Sequence, residues 1–308
     1  MFIKILKMKI DILTPIRFGG PQKWGDELVT ALRKKGIDAV NIHNFFGIIK
    51  RFFFSDADII HTTLPLFFKF HKKPVILTIH GDYRKENFSK YFYPIAIKKA
   101  NFVTVPTKFL MEELNLKNCK VIPNFIFLDN YKKVKHKKKE SLRIVTVTSF
   151  KFLDKAKGVL ELFKILEEVK KEIKKEFDFV VVGGGPYLKK IIEESKNYSF
   201  RIKFTGFHKN PKEILEKSDL FLYYSYLDNF PIVILEAMAC NLPIVSNDVG
   251  GIKEIIKISK NKEEFKKNLL KLLNCKNIKN VRNNKKIKNY SWEKGIDRFI
   301  NLYKNCYR

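Results

Sequence analysis

At 308 residues the chain is long enough for about two domains of ordinary size, and its 45% hydrophobic content supplies a core for each. No stretch approaches the ~18 apolar residues of a membrane span. Cys119, Cys240, Cys275 and Cys306 are scattered with no C-x-x-C and no Cys–His pairing, which excludes a zinc ribbon or a disulfide framework and predicts a reducing, cytoplasmic setting. A formal charge of +29 predicts attraction to anions such as nucleotide phosphates, anionic lipid or nucleic acid, although a codon bias toward lysine gives the same excess.

The N-terminal "MFIKILKMKIDILTP" runs straight into a strand-like segment and lacks a small-residue cleavage site. It reads as the first strand and not as a signal peptide, with Met8 as an alternative start. Gly19 and Gly20 follow that strand and open the helical pattern "PQKWGDELVTALRKKG"; a glycine pair there suits a turn that lets a ligand approach the backbone. "DAVNI", "DIIHTT", "VILTIH", "FVTVP" and "KVIPN" continue as β-branched strand candidates. "FFGIIKRFFF" mixes aromatics and cations as an interfacial segment does, and reads equally as a core helix with two exposed cations.

The lysine-crowded "YKKVKHKKKES" at 131–141 interrupts the pattern, because a run of like charge seldom packs. After it come strand candidates "RIVTVTS", "DFVVVGG", "RIKFTG", "DLFLYYS" and "LPIVSN". Val159, Leu160, Phe163, Leu166, Val169 and Ile173 mark a helix between the first two. Strands alternating with helices predict βαβ units and mostly parallel sheets. We therefore expect two α/β halves, 1–134 and 142–290, joined by a linker at 135–141, with a ligand held in the cleft between them at the carboxyl ends of the strands.

The most informative stretch is "DNFPIVILEAMACNLPIVSNDVGG", from Asp228 to Gly251. Its two carboxylates, Asp228 and Glu236, stand eight residues apart across an apolar run. The acids of a glycosidase lie less than ~10 Å apart. Eight helical residues separate their Cα atoms by roughly 12 Å, which suits two grips on one elongated ligand better than a hydrolytic pair.

This stretch resembles the signature of the retaining glycosyltransferases of the glycogen-synthase-like family 4: Glu-x7-Glu, then Ala-Met-Ala, then a Gly-Gly turn. Here the first acid is Asp228, a departure from the family, and "EAMAC" follows Glu236 directly. Weaker matches run in order along the chain: Gly19-Gly20, "DIIHTT", "TIHGDY", "VIPN", "DKAKG", "VVVGGGP", "FTGF" and "SWEKGIDRFINLYK". The resemblance implies the GT-B fold, two Rossmann-like domains facing across a ligand cleft. It also implies a C-terminal helix at 291–308 that crosses back to complete the first domain.

What the resemblance implies for single residues is specific. Glu236 would hold the nucleotide ribose and Asp228 the donor sugar; an ionised carboxylate accepts bonds from neighbouring hydroxyls. Capping of the helix near Pro231 is the other reading of Asp228. The segment Asn229, Phe230, Pro231 and Ile232 would offer backbone N–H groups and a positive dipole end to the donor diphosphate. Lys157 would add a point charge there, with Lys151 in place of the family's arginine. His80 would lie near the sugar, whereas His61 reads as structural. Gly183 and Gly184 would line the base or phosphate, and they lack the spacing of a dinucleotide fingerprint.

These assignments predict a hexosyltransferase that takes a UDP- or GDP-linked sugar as donor and a glycan or lipid-linked acceptor, with no cofactor and no metal. The "DAD" at 56–58 spells a metal-binding D-x-D but precedes a buried-looking strand, so no metal is expected there. The basic surface suggests peripheral contact with the inner face of a cell membrane. Rival readings are a nucleotide-sugar epimerase on the same scaffold, which lacks the "EAMA" signature, and a basic module for nucleic acid or anionic membrane. No nucleic-acid module or regular basic–aromatic pattern is present, so nucleic acid is not an expected partner.

Overall fold

The structure is a computed structural model that describes residues 8–16, 19–65, 73–85, 89–131, 141–275, 278 and 284–306. The chain divides into two compact units, Met1–Ile126 with Tyr290–Arg308, and Phe127–Asn289. Apart from Ser141, the linker expected at 135–141 lies outside the described residues, as do all seven residues before Met8.

The first unit runs β1 (Lys9–Leu13), α1 (Gly20–Lys34), β2 (Asp38–Ile42), α2 (Phe45–Phe54), β3 (Ile59–Thr62), β4 (Val75–Thr78), α3 (Tyr93–Lys99), β5 (Phe102–Val105), α4 (Lys108–Glu113) and β6 (Cys119–Val121). Among the described residues its sheet has six strands in the order β2-β1-β3-β4-β5-β6, every pairing parallel. β3 and β4 are buried along their whole length, the pattern of strands covered on both faces. Asparagine and threonine fix where helices begin: Asn44 Oδ1 accepts from Gly47 N at 2.7 Å at the start of α2, and Thr107 Oγ1 from Leu110 N at 3.0 Å at the start of α4.

The second unit runs β7 (Leu142–Val147), α5 (Leu153–Glu172), β8 (Phe177–Val182), α6 (Leu188–Ser195), β9 (Arg201–Gly206), α7 (Lys212–Glu216), β10 (Leu220–Tyr223), α8 (Ile232–Ala239), β11 (Ile244–Ser246), α9 (Ile252–Ile255) and α10 (Lys262–Asn274). Among the described residues its five strands are ordered β11-β10-β7-β8-β9, again all parallel. The core joins the buried stripe of α5 (Val159, Leu162, Phe163, Leu166) to Phe179, Val181 and Leu222 of the sheet.

The last helix, α11 (Trp292–Cys306), belongs to the first unit. Trp292 N donates to the Ile126 carbonyl at 3.0 Å, and Gly295 lies so close to the Phe125 ring that no Cβ would fit. Phe299, Leu302 and Tyr303 are buried, and the Tyr303 hydroxyl sits 2.7 Å from His61 Nδ1. Both units are therefore α/β with parallel sheets. Residues 127–131, expected with the first half, sit with the second, where the Tyr131 hydroxyl reaches Glu236.

Candidate active site

The second sheet reverses its strand order between β7 and β10, and loops at the carboxyl ends of such strands diverge to leave a ligand crevice. The loop after β10 carries Asp228. Its start is pinned by Asn247, whose Oδ1 accepts from Ser225 N at 3.0 Å and whose Nδ2 donates to the Ser225 carbonyl at 2.8 Å. Its end is pinned by the glycine pair of the motif: Gly251 N donates to the Asn229 carbonyl at 2.9 Å. Gly250 has φ +57°, and a Cβ there would collide with the Asp228 carbonyl oxygen. The Gly-Gly turn thus sets the backbone under the first acid.

Three donors converge on the Asp228 carboxylate. Lys155 Nζ and the Tyr223 hydroxyl both reach Oδ2, and Asn229 N donates to Oδ1 at 2.9 Å. Burial, and then the neighbouring Asp228 charge, push the Tyr223 phenol well above its ordinary value, so it stays protonated and donates. Asp228 makes no side-chain cap to α8. The capping reading fails because the loop turns the carboxylate toward α5.

The lysine in this cluster is not the one expected. Lys157 is 54% exposed and 3.8 Å from Asp154, whereas Lys155 is 18% exposed and bonded to Asp228. The reason is helical geometry. α5 begins at Leu153, one turn earlier than the "KG" pair suggests, so residues 155 and 157 project to different sides. Gly158 then faces the Tyr224 carbonyl too closely for any Cβ, which lets the N-terminal turn of α5 pack onto the loop after β10.

Glu236 lies in α8 and is 3% exposed. The Tyr131 hydroxyl donates to its Oε1 at 3.3 Å. The helix starts at Ile232 with Pro231 as an extended N-cap, and Phe230 is buried beneath it. Asn229, Phe230, Pro231 and Ile232 therefore do form the entry to a helix N-terminus, as expected.

The loops after β7 and β8 interlock. Phe150 N donates to the Gly184 carbonyl and Tyr187 N to the Phe150 carbonyl, both at 3.1 Å. Gly183, at φ +150°, abuts the Thr148 carbonyl with no room for a side chain. Gly183 and Gly184 thus have a packing role whatever else they do. Lys151 lies exposed on this loop, its N–H 3.4 Å from Ser149 Oγ.

In the first unit, Trp24 of α1 meets His80 and His61 edge-on, at ring-centroid distances of 4.7 and 5.2 Å. His61 is fully buried, with Nε2 2.6 Å from Thr78 Oγ1. Burial, and secondarily His80, lower its pKa to about 3; burial lowers that of half-buried His80 to about 4. Both are neutral imidazoles near pH 7. Gly19 is the extended N-cap of α1, and Gly20 is exposed with nothing within 4 Å of its missing Cβ. Asp56 pairs with Lys9 and Arg51, and Asp58 accepts from Lys9 N at 2.9 Å. Among the described residues no three His, Cys, Asp or Glu side chains gather as metal ligands do.

Lys155, Tyr223 and Tyr131 are the residues that sequence reasoning passed over. Lys155 had one available signal: it stands three positions before Gly158, hence on the helical face that the glycine presses against the loop after β10.

Residues 129–291 match the family model described as "Glycosyl transferases group 1", and residues 15–130 match "Glycosyltransferase Family 4". An N-acetyl-alpha-D-glucosaminyl L-malate synthase from Bacillus anthracis is 34% identical over 116 residues, 37% of this chain and 29% of that protein. An N-acetylgalactosamine-N,N'-diacetylbacillosaminyl-diphospho-undecaprenol 4-alpha-N-acetylgalactosaminyltransferase from Campylobacter jejuni is 25% identical over 186 residues, 56% of this chain and 50% of that protein. The chain thus aligns with half or less of these relatives' lengths. Alr3699/HepE from Anabaena, solved in complex with UDP and glucose, superposes with a TM-score of 0.75 at 15% identity, over 96% of this chain and 99% of that one. That likeness establishes the two-domain GT-B fold.

Proposed function

Because the chain belongs to the group 1 glycosyltransferases, with a family 4 N-terminal domain, we propose that it moves a hexosyl unit from a nucleotide sugar to an acceptor hydroxyl with retention of configuration. The observation that carries this reading is the Asp228 cluster at the strand-order reversal. A carboxylate held by Lys155, Tyr223 and Asn229 N offers fixed hydrogen-bond acceptors for sugar hydroxyls. Glu236, buried on the following helix, is assigned to the ribose.

In this reading the bond from the anomeric carbon to the phosphate oxygen breaks while the bond to the acceptor oxygen forms on the same face. The acceptor's proton passes to the departing phosphate. Negative charge develops on that phosphate, and cations fixed beforehand lower the barrier. We assign that task first to Lys155, the lysine held at the cluster, with Lys157 and Lys151 as further charges and the backbone from Asn229 to Ile232 as donors. The diphosphate charge is thus met by lysines and a helix end, with no metal in the scheme. Gly183 and Gly184 border the base or phosphate. On the first unit, His80 is assigned to the sugar as a neutral hydrogen-bonding group, and Gly19 and Gly20 to close backbone approach.

UDP is the preferred first donor nucleotide, because the Anabaena neighbour binds UDP and glucose. A glycan or lipid-linked acceptor fits the Campylobacter relative, whose name specifies a diphospho-undecaprenol substrate. No helix among the described residues is long and apolar enough to cross a membrane; the contact proposed with the inner membrane face is a peripheral one. The test is a thermal-shift screen of UDP- and GDP-sugars, since a specific ligand raises the unfolding temperature by mass action. A selective rise with one nucleotide sugar is expected; no rise with any of them would overturn the reading.

A further inference from the structure

The helix α2 is turned inside out. Phe45, Phe46, Ile49, Phe53 and Phe54 are 59%, 82%, 42%, 60% and 76% exposed. With exposed Lys50 they fill positions 45, 49, 53 and 46, 50, 54, two adjacent rows along one helical face. The opposite side holds Ile48, which packs against Leu13, Ile42, Ile60 and Val75, and the guanidinium of Arg51. Arg51 Nε lies 3.4 Å from Asp11 Oδ2, and Arg51 also pairs with Asp56. The Asp11 carboxylate is fully buried and takes a further bond from Ser55 Oγ at 2.8 Å.

This arrangement fixes the rotation of the helix. Turning the phenylalanines inward would pull Arg51 away from Asp11 and leave a buried charge uncompensated, a severe cost. The fold therefore holds the aromatic face outward. Of the two sequence readings, the core helix with exposed cations is overturned: Arg51 points in, and Phe45, Phe46, Phe53 and Phe54 point out.

We propose that this face of α2 docks on an anionic phospholipid bilayer, lying flat at the level of the headgroups. A ten-residue helix is about 15 Å long, half the hydrocarbon thickness, so it cannot span but can lie in the interface. Each row inclines about 26° to the helix axis, so over the short length of α2 both rows stay on one side of the helix and can meet one plane. Charge decides between occupants. A second copy would bring Lys50 toward Lys50 between chains of formal charge +29 each, whereas anionic headgroups complement both. The docking geometry stands by itself; its purpose, bringing the enzyme to a lipid-linked acceptor, rests on the proposed function.

The experiment is co-sedimentation with vesicles of phosphatidylcholine alone or mixed with phosphatidylglycerol, at low salt, for the wild type, Phe46→Ser/Phe54→Ser and Lys50→Glu. Nucleotide-sugar thermal shifts are measured on the same preparations. The wild type should bind the mixed vesicles at least about tenfold more tightly than the neutral ones, and the double phenylalanine variant should lose about tenfold or more. Lys50→Glu should lose a smaller factor. All variants should keep their unfolding temperature, because these side chains are exposed. Absence of wild-type binding to anionic vesicles, or undiminished binding by the double variant, would overturn the proposal. So would a wild-type dimer that the double variant dissolves, which would assign the face to a second copy. Wild-type protein that fails to bind anionic vesicles yet is protected by a nucleotide sugar sinks the docking alone; wild-type protein that binds the vesicles with no nucleotide-sugar protection sinks the donor reading alone.

Discussion

Lys155 is ion-paired with Asp228, and the Tyr223 hydroxyl shares the same carboxylate oxygen. The cation of this cluster comes from the N-terminal turn of α5 and the acid from the loop after β10, the two elements that Gly158 allows to touch. Replacing Lys155 by Ala should therefore lower kcat by roughly 10²–10³, the cost of losing one preorganised charge at a departing phosphate. Lys157→Ala, on an exposed side chain, should change turnover by less than about tenfold. Steady-state kinetics on the two variants checks this, and the opposite ranking would return the phosphate role to Lys157.

Tyr223→Phe removes one donor from Asp228 without changing the ring that β10 packs. We expect a stability loss of about 1–3 kcal/mol, since a hydrogen bond to a charged group is lost in a buried place. Denaturant midpoints give that number. A companion fall in kcat with little change in donor KM would mark Tyr223 as a positioning residue for Asp228.

Two glycines should separate backbone from ligand roles. Gly250→Ala puts a Cβ against the Asp228 carbonyl at φ +57°, so it should lower Tm by several degrees and impair transfer together. Gly20→Ala meets nothing within 4 Å, so Tm should stay unchanged. If Gly20 gives close approach to the donor, KM for the nucleotide sugar should still rise. An unchanged KM would remove Gly20 from the proposed machinery.

Acidification should destabilise the first unit through its histidines. His61 and His80 have folded pKa values lowered to about 3 and about 4, so the unfolded chain takes up protons first as pH falls below ~6.5. Their contribution is fully present above that value and is lost toward the folded values. For fully buried His61 the slope approaches about 1.4 kcal/mol per pH unit. Urea midpoints at about pH 7.5 and about pH 5 measure the loss, and His61→Gln should flatten it.

The fold was legible in the sequence because parallel strands buried on both faces write themselves as apolar runs. "DIIHTT" and "VILTIH" hold the fully buried β3 and β4, and the edge strands "DAVNI" and "RIKFTG" became β2 and β9 residue for residue. The local backbone of the motif was legible too: the Gly250–Gly251 turn and the Pro231 helix entry are both built as its spacing suggests. Side-chain direction was not legible. One lysine among so many names no partner by its type, and its spacing from Gly158 becomes a signal only once α5 is seen to start at Leu153. Tyr131 adjoins a lysine run that masked its place with the second unit. For α2 the ten residues alone allow either face inward; the choice falls to Asp11, a buried acid that requires Arg51.

The central claim is that a nucleotide sugar is gripped through Glu236 on the helix that follows Asp228. The direct measurement is transfer from the nucleotide sugar selected by the thermal screen, catalysed by Glu236→Ala with its folded state verified by circular dichroism. Loss of two hydrogen bonds to a charged acceptor should cut kcat/KM by at least about a hundredfold while the protein stays folded. Turnover close to wild type in that variant would contradict the account.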